Sequence, residues 1–254
     1  MVWNNLRNSF PEKSLMELKK IENDFYSHLC DVIVETIKLL SISEKELKNR
    51  VSHENPELLS QICQNGGSFI SLAGHIGNWE WLLAANKVYL NCNVDAVYKP
   101  LSSPFFEKLM LKIRSRFGTF PVSSLRVLRI EAGRKEIPRG IAMVADQTAW
   151  ADSAYAIHFL NQATLFFTGP KRIAELFSYP IFYAGLKKTG RGRYHFFIEQ
   201  IASPPFPKGN FIIETFARKL EKQIQENPAI WLWSHKRWKH EVPTELLTNA
   251  GKTY

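Results

Sequence analysis

Residues 68–80, Ser68-Phe-Ile-Ser-Leu-Ala-Gly-His-Ile-Gly-Asn-Trp-Glu80, read as a buried strand running directly into a helix. The run from Ser68 to Ala73 is short, apolar and uncharged, as expected of a strand covered on both faces. Gly74 permits a tight turn, because a residue without Cβ tolerates backbone that others avoid. His75 then stands at the carboxyl end of the strand, and a helix follows from about Trp79 to Tyr89. In open α/β sheets, ligands bind outside the carboxyl ends of strands, so a histidine there meets solvent and substrate together.

The rest of the chain extends this pattern in both directions. Downstream, Val94–Tyr98 and Ile141–Ala145 read as buried strands. Pro104–Phe117 reads as a helix stopped by Gly118, and Ser123–Ala132 as a further helix. The stretch Tyr155–Phe167 reads as extended, and Gly169-Pro170 opens a helix to Phe177. Ile181–Lys187 and Tyr194–Ile201 read as paired strands, Phe211–Glu226 as an amphipathic helix, and Trp231–Trp233 as a final strand. Upstream, residues 1–13 read as a polar arm. From Leu15 to Leu40, apolar residues recur at helical spacing without Pro or Gly. Ser43 with Glu46 resembles a capping box, and Pro56 opens a helix that Gly66-Gly67 ends. Strands alternating with helices predict an α/β fold: a single domain with a central mixed β-sheet flanked by helices. The expected division is a helical N-terminal segment over 1–66, an α/β core over 67–240 and a polar C-terminal tail over 241–254.

Composition excludes several classes. The chain has 254 residues, 45% of them hydrophobic and 13% aromatic, which is ample for a core and excludes intrinsic disorder. Cys30, Cys63 and Cys92 are odd in number and widely spaced, which excludes a disulfide scaffold or a cysteine zinc knot. The N-terminus has no apolar signal core, and no eighteen-residue window is free of charge. Lys and Arg number 33 against 24 Asp and Glu, a net charge of +9 that suits anionic partners without choosing among them. No metal site is expected, since His235 and His240 lack a matching carboxylate set. No glycine-rich phosphate loop is present, and no cofactor is expected.

The chemistry concentrates on His75 and Glu80. Five residues apart on one regular helix, two side chains diverge by roughly 140°. With His75 in the turn and Glu80 in the first helical turns, the carboxylate is expected to fold back to the imidazole. It would then fix the tautomer and leave the other ring nitrogen as a base. The same spacing recurs at His240 and Glu245, but that copy contains Pro243 and follows no strand, so it is read as chance.

The segment Gly74-His75-Ile76-Gly77-Asn78-Trp79-Glu80-Trp81 resembles the HxxxxD/E block of the lysophospholipid-type acyltransferases. It is most similar to the late acyltransferases of lipid A biosynthesis. The likeness runs in order along the chain. It takes in Asn5-Leu-Arg-Asn-Ser-Phe-Pro-Glu12, Val97-Tyr98-Lys99-Pro100, Arg114-Ser-Arg116-Phe-Gly118 and Ala145-Asp146-Gln147. It continues through Phe166-Phe-Thr-Gly-Pro170 to Trp231-Leu-Trp-Ser-His-Lys-Arg-Trp-Lys239.

The resemblance implies a glycerol-3-phosphate-acyltransferase-like fold and an O-acyltransferase. The donor would be an acyl carrier protein thioester and the acceptor a hydroxyl of a lipid A precursor. It assigns His75 as general base and Glu80 as its orienting acid. Arg116 and Lys99 become contacts for the oxyanion or a phosphate, and Asp146 and Gln147 substrate-orienting groups. Phe105, Phe106, Leu109 and Leu111 are expected to help line an acyl groove. The cluster Lys236, Arg237 and Lys239, with Trp233 and Trp238, is expected to meet an anionic membrane surface. The family usually begins with a membrane-anchoring helix, and this chain starts after the matching point. A peripheral position on the cytoplasmic face of the bacterial inner membrane is therefore expected. Two alternatives stay open. One keeps the chemistry with a lysophospholipid, an aminolipid or a lipid-linked pigment as acceptor. The other is a non-enzymatic basic module on membrane or nucleic acid, although nothing in the chain favours nucleic acid.

Overall fold

The computed structural model describes residues 1–149, 154–240 and 242. The first half runs α1 (Val2–Ser9), α2 (Leu15–Lys38), α3 (Glu44–Arg50), β1 (Val51–His53), α4 (Pro56–Gln64), β2 (Phe69–Ala73), α5 (Trp79–Tyr89), β3 (Asn93–Tyr98) and α6 (Pro104–Ser115). It continues as β4 (Phe120–Ser123), α7 (Val127–Gly133), β5 (Arg139–Val144), β6 (Ala154–Phe159), β7 (Gln162–Phe167), α8 (Gly169–Phe177), β8 (Ile181–Gly190), β9 (Arg193–Ala202) and α9 (Phe211–Glu226). A 3-10 turn over Pro228–Ile230 follows.

Seven strands form one mixed sheet in the order β1-β9-β8-β2-β5-β3-β4, and β6 and β7 make a separate antiparallel hairpin. Strand β2 lies in the middle, parallel to β5 on one side and β8 on the other. Among the described residues only β8 and β9 pair antiparallel in the large sheet. This is the expected α/β fold with a mixed sheet.

All five residues of β2 are buried, and its apolar side chains enter separate cores on the two faces of the sheet. Ile70 and Leu72 join the larger core with Ile141 and with Phe216 and Leu220 of α9. Ala73 joins a second core with Trp81, Leu82 and Ala85 of α5. The sheet is thus sandwiched between helices. A central strand covered on both faces needs the uninterrupted apolar run seen in the sequence.

Helix α2 begins with a complete capping box between Ser14 and Glu17 and runs close to the predicted span. Helix α9 has the predicted ends, and the paired strands β8 and β9 run a few residues past theirs. Three expectations are corrected and one unpredicted strand is added. The polar arm contains helix α1, whose Val2 and Leu6 are buried while Asn5 donates to the carbonyl oxygens of Trp233 and His235. Its apolar residues are too few to signal burial without the partner segment. The helix expected over Ser123–Ala132 starts only at Val127, because residues 120–123 extend as β4 along β3. Val51–His53 forms β1 on the edge of β9. Trp231–Trp233 is not a strand; Trp231 makes one isolated bridge to Ile76. Of the expected C-terminal tail, residues 241 and 243–254 lie outside the described residues.

Candidate active site

The turn after β2 is held by close backbone approach. A Cβ on Gly74 would stand 2.4 Å from Leu220 Cδ1 and 3.3 Å from Asp146 Oδ2, so only glycine brings the chain this near both. Gly77 adopts a φ of +60°, which turns the chain into α5. Asn78 caps that helix, its Oδ1 accepting from the Trp81 N–H at 3.0 Å.

Asp146, two residues beyond the end of β5, reaches into this turn. Its Oδ1 accepts from His75 Nδ1 at 2.5 Å. Its Oδ2 accepts from the His75 backbone N–H at 2.8 Å and from the Trp231 indole N–H at 2.7 Å. Burial pushes the Asp146 carboxyl upward. The His75 imidazole and the N–H donors outweigh it and hold the group at about 2. The carboxylate is therefore a fixed negative charge that keeps the proton on Nδ1 and leaves Nε2 with its lone pair. The Gln147 amide donates toward Nε2 at 3.3 Å. Trp79 packs edge-on to the imidazole with ring centroids 5.0 Å apart.

Glu80 does something different from the expected role. Its carboxylate is clasped by Arg114 of α6, with Nη2 at 2.6 Å from Oε1 and Nε at 3.0 Å from Oε2. Among the described residues it makes no hydrogen bond to His75. The reason is positional: the imidazole faces the strand end of β5, where Asp146 already holds Nδ1. Glu80, inside the first turn of α5, faces the neighbouring helix instead. Orientation of His75 therefore passes from Glu80 to Asp146, a residue 71 positions away.

Arg116 is also corrected. It is exposed and lies against the Phe117 ring at 4.6 Å, whereas Arg114 lines the cavity beside His75. Two residues on a helix differ by roughly 200°, so the two arginines cannot face the same space. Lys99, one residue past β3, lines the cavity, and so does Gln147. Asp146 lies behind the ring rather than on the cavity wall.

The cavity, of about 520 Å³, lies between α5 and the carboxyl ends of β2, β3 and β5. Its wall carries the polar groups of His75, Glu80, Arg114, Lys99 and Gln147, and the rest of the lining is mostly small and aliphatic. Phe105 and Phe106 do not line it. They are 72% and 57% exposed on α6, and exposed Leu101 does line the cavity. Leu109 packs into the core on the α5 side of the sheet.

The C-terminal signature segment braces the catalytic turn; of its basic residues Lys236 and Lys239 are exposed, while Arg237 is not part of that surface. The Leu232 N–H donates to the His75 carbonyl at 3.1 Å, and the Gly77 N–H to the Ile230 carbonyl at 2.9 Å. Trp233 is buried, and Trp238 donates to Thr164. Arg237 is internal, donating to the Leu165 carbonyl at 2.6 Å and stacking on Phe166. Burial lowers its pKa to about 10.

Sequence reasoning also missed a second brace from α2. Glu35 accepts from Asn78 and from the Tyr194 hydroxyl, both at 2.8 Å, and the Trp81 indole donates to its carbonyl. His28 meets the Gly77 carbonyl at 3.3 Å. The signal was present as buried polar residues on the apolar side of a helix.

An imidazole backed by a buried carboxylate, opening on a largely apolar cavity with basic groups in its wall, is the equipment of an acyl-transfer enzyme. The family model described as bacterial lipid A biosynthesis acyltransferase matches residues 2–240. The chain belongs to that family and is an acyltransferase. No curated protein matches it. Among the described residues no cluster suited to a metal ion is present, and no helix is long and apolar enough to cross a membrane.

Proposed function

We propose that this acyltransferase moves a fatty acyl chain from an acyl carrier protein thioester to a hydroxyl of a lipid A precursor, with His75 as general base and Asp146 as its orienting acid. The observation that carries this reading is the 2.5 Å bond from His75 Nδ1 to a buried, ionised Asp146, beside a cavity large enough for a lipid chain. Nε2 takes the proton of the acceptor hydroxyl as its oxygen attacks the thioester carbonyl. Negative charge builds on the carbonyl oxygen, and Lys99, Arg114 and Gln147 supply donors within the same cavity. Collapse breaks the carbon–sulfur bond, and the departing thiolate takes the proton from the imidazolium. An ester has formed, a thiol has left, and His75 is neutral again.

The reaction takes place peripherally at the cytoplasmic face of the inner membrane. Support comes from exposed Leu101 on the cavity wall, from the exposed Phe105 and Phe106 of α6, apolar side chains suited to lipid, and from the net charge of +9.

The test is a transfer assay with acyl carrier protein thioesters and tetra- or penta-acylated lipid A precursors, paired with mass spectrometry of lipids from a deletion strain. Transfer by the unaltered protein, loss of transfer in folded His75→Ala and loss of one acyl chain from lipid A are the expected results. Normal activity in folded His75→Ala overturns the mechanism. Unchanged lipid A with a shortened acyl complement in another lipid overturns the acceptor assignment.

A further inference from the structure

The cavity does not end on hydrocarbon. Asn86 of α5 lines its deep part, is only 3% exposed, and its Oδ1 has no hydrogen-bond partner. Buried amides are almost always paired, and an orphan in a cavity wall signals a missing partner. Asn86 lies seven residues along α5 from Trp79, so at 1.5 Å per residue it sits about 10 Å further from the catalytic turn than the helix start. Facing it from the sheet is Ser71, also buried and also on the cavity wall.

The sheet side has been cleared of bulk at this level. Ser71 pairs in register with Ala142 of β5, and Ala142 with Ala96 of β3, so three small residues stand in one row across three strands. All three line the cavity, as does Ala184 of β8. That row lies two residues below Ala73, or about 7 Å deeper along the strand. A chain entering at His75 reaches open space here, with an amide on one side and a hydroxyl on the other.

We infer that the deep end of this cavity is a receptor for an oxygen function carried part-way along the fatty chain, and that the preferred donor is a hydroxylated acyl thioester. The inference rests on the acyl-transfer reading and narrows its donor. A hydroxyl at this depth donates to Asn86 Oδ1 and accepts from Ser71. A plain chain of the same length covers the amide and leaves it unpaired, which typically weakens binding by about ten- to a hundredfold. A hydroxyl close to the thioester carbonyl stays near His75 and does not reach Asn86, so the preference depends on where along the chain the oxygen sits.

The experiment compares lauroyl thioesters of acyl carrier protein with forms carrying one hydroxyl at successive positions, using the full chain and one acceptor. In parallel, free lauric acid and its mid-chain and terminal hydroxy derivatives compete for the protein against a fluorescent fatty acid. The expected result is a preference of at least about tenfold for a chain hydroxylated beyond its middle, in transfer and in binding alike. Asn86→Leu removes the preference. If Asn86→Leu does not fold, Asn86→Ser serves, and the comparison of ligands on the unaltered protein decides without any variant. Plain chains that bind and transfer as well as every hydroxylated form overturn the inference while leaving acyl transfer standing. Preferential binding of the hydroxylated chain without transfer from any thioester supports the receptor and overturns the transferase reading instead.

Discussion

Asp146 holds His75 twice, accepting from the ring at 2.5 Å and from the backbone N–H at 2.8 Å. One carboxylate thus sets the tautomer of the imidazole and the position of the turn that carries it. The Trp231 indole on the same oxygen ties the C-terminal segment to both.

Asp146→Asn is expected to keep the fold and lose turnover. An amide in this place favours the wrong tautomer and no longer stabilises the imidazolium, so kcat falls by about 10²–10⁴-fold with a smaller change in KM. Steady-state kinetics alongside circular dichroism separates the two effects.

Stability should depend on the same group at low pH. Its carboxyl is depressed from 3.8 to about 2 in the folded chain, so the contribution is complete above pH 4 and is lost as pH falls through about 2. At full ionisation the shift corresponds to an order of 2 kcal/mol. Thermal melts of the unaltered protein and Asp146→Asn between pH 5 and 2 should converge toward the acid end. Parallel curves would assign the carboxylate no such role.

Glu80 and Arg114 are predicted to act as a pair. Removing Glu80 leaves a guanidinium facing the cavity with its main partner gone, so Glu80→Gln should be more damaging than its small volume change suggests. A double-mutant cycle with Arg114→Met should give a coupling of about 0.5–3 kcal/mol in stability, the range for contacting residues. Strict additivity would contradict the bidentate pair.

The bond between Glu35 and Asn78 predicts a remote effect on the active site. In Glu35→Ala, Asn78 and the Tyr194 hydroxyl lose a shared buried acceptor, which costs about 1–3 kcal/mol for each group left unpaired. Hydrogen exchange should rise at residues 75–78, ahead of exchange in the central strands. Unchanged protection in the turn would mean that the remaining braces suffice.

His28 carries a second pH response. Burial lowers its imidazole from 6.5 to about 4, so the folded chain resists protonation that the unfolded chain accepts. Stability is then full above about pH 6.5 and declines as pH falls toward 4. His53 is lowered to about 4 for the same reason and adds to the slope. Urea melts of His28→Gln across this window should show a shallower decline than the unaltered chain.

Much of the fold was legible because its signals are local. A five-residue apolar strand, a Gly turn and an Asn cap need no distant partner to be recognised, and β2, α5 and α9 appear where their patterns lie. Edge elements carried weaker signals. Strands β1 and β4 are three and four residues long, too short for a period to show, and α1 is stabilised by Trp233 and His235 from the far end of the chain.

The sequence alone determined the α/β class and the positions of His75 and Asp146 just past the carboxyl ends of two buried strands. Both follow from residue type and short-range periodicity, which the backbone reads within a few turns, whereas Lys99 and Gln147 were singled out by the family resemblance. Only the tertiary structure decided which acid meets the imidazole, which of Arg114 and Arg116 faces the cavity, and that Arg237 lies inside. Those outcomes depend on how parallel strands register and how helices rotate against them. Register and rotation are settled by contacts between residues tens of positions apart, which no local pattern encodes.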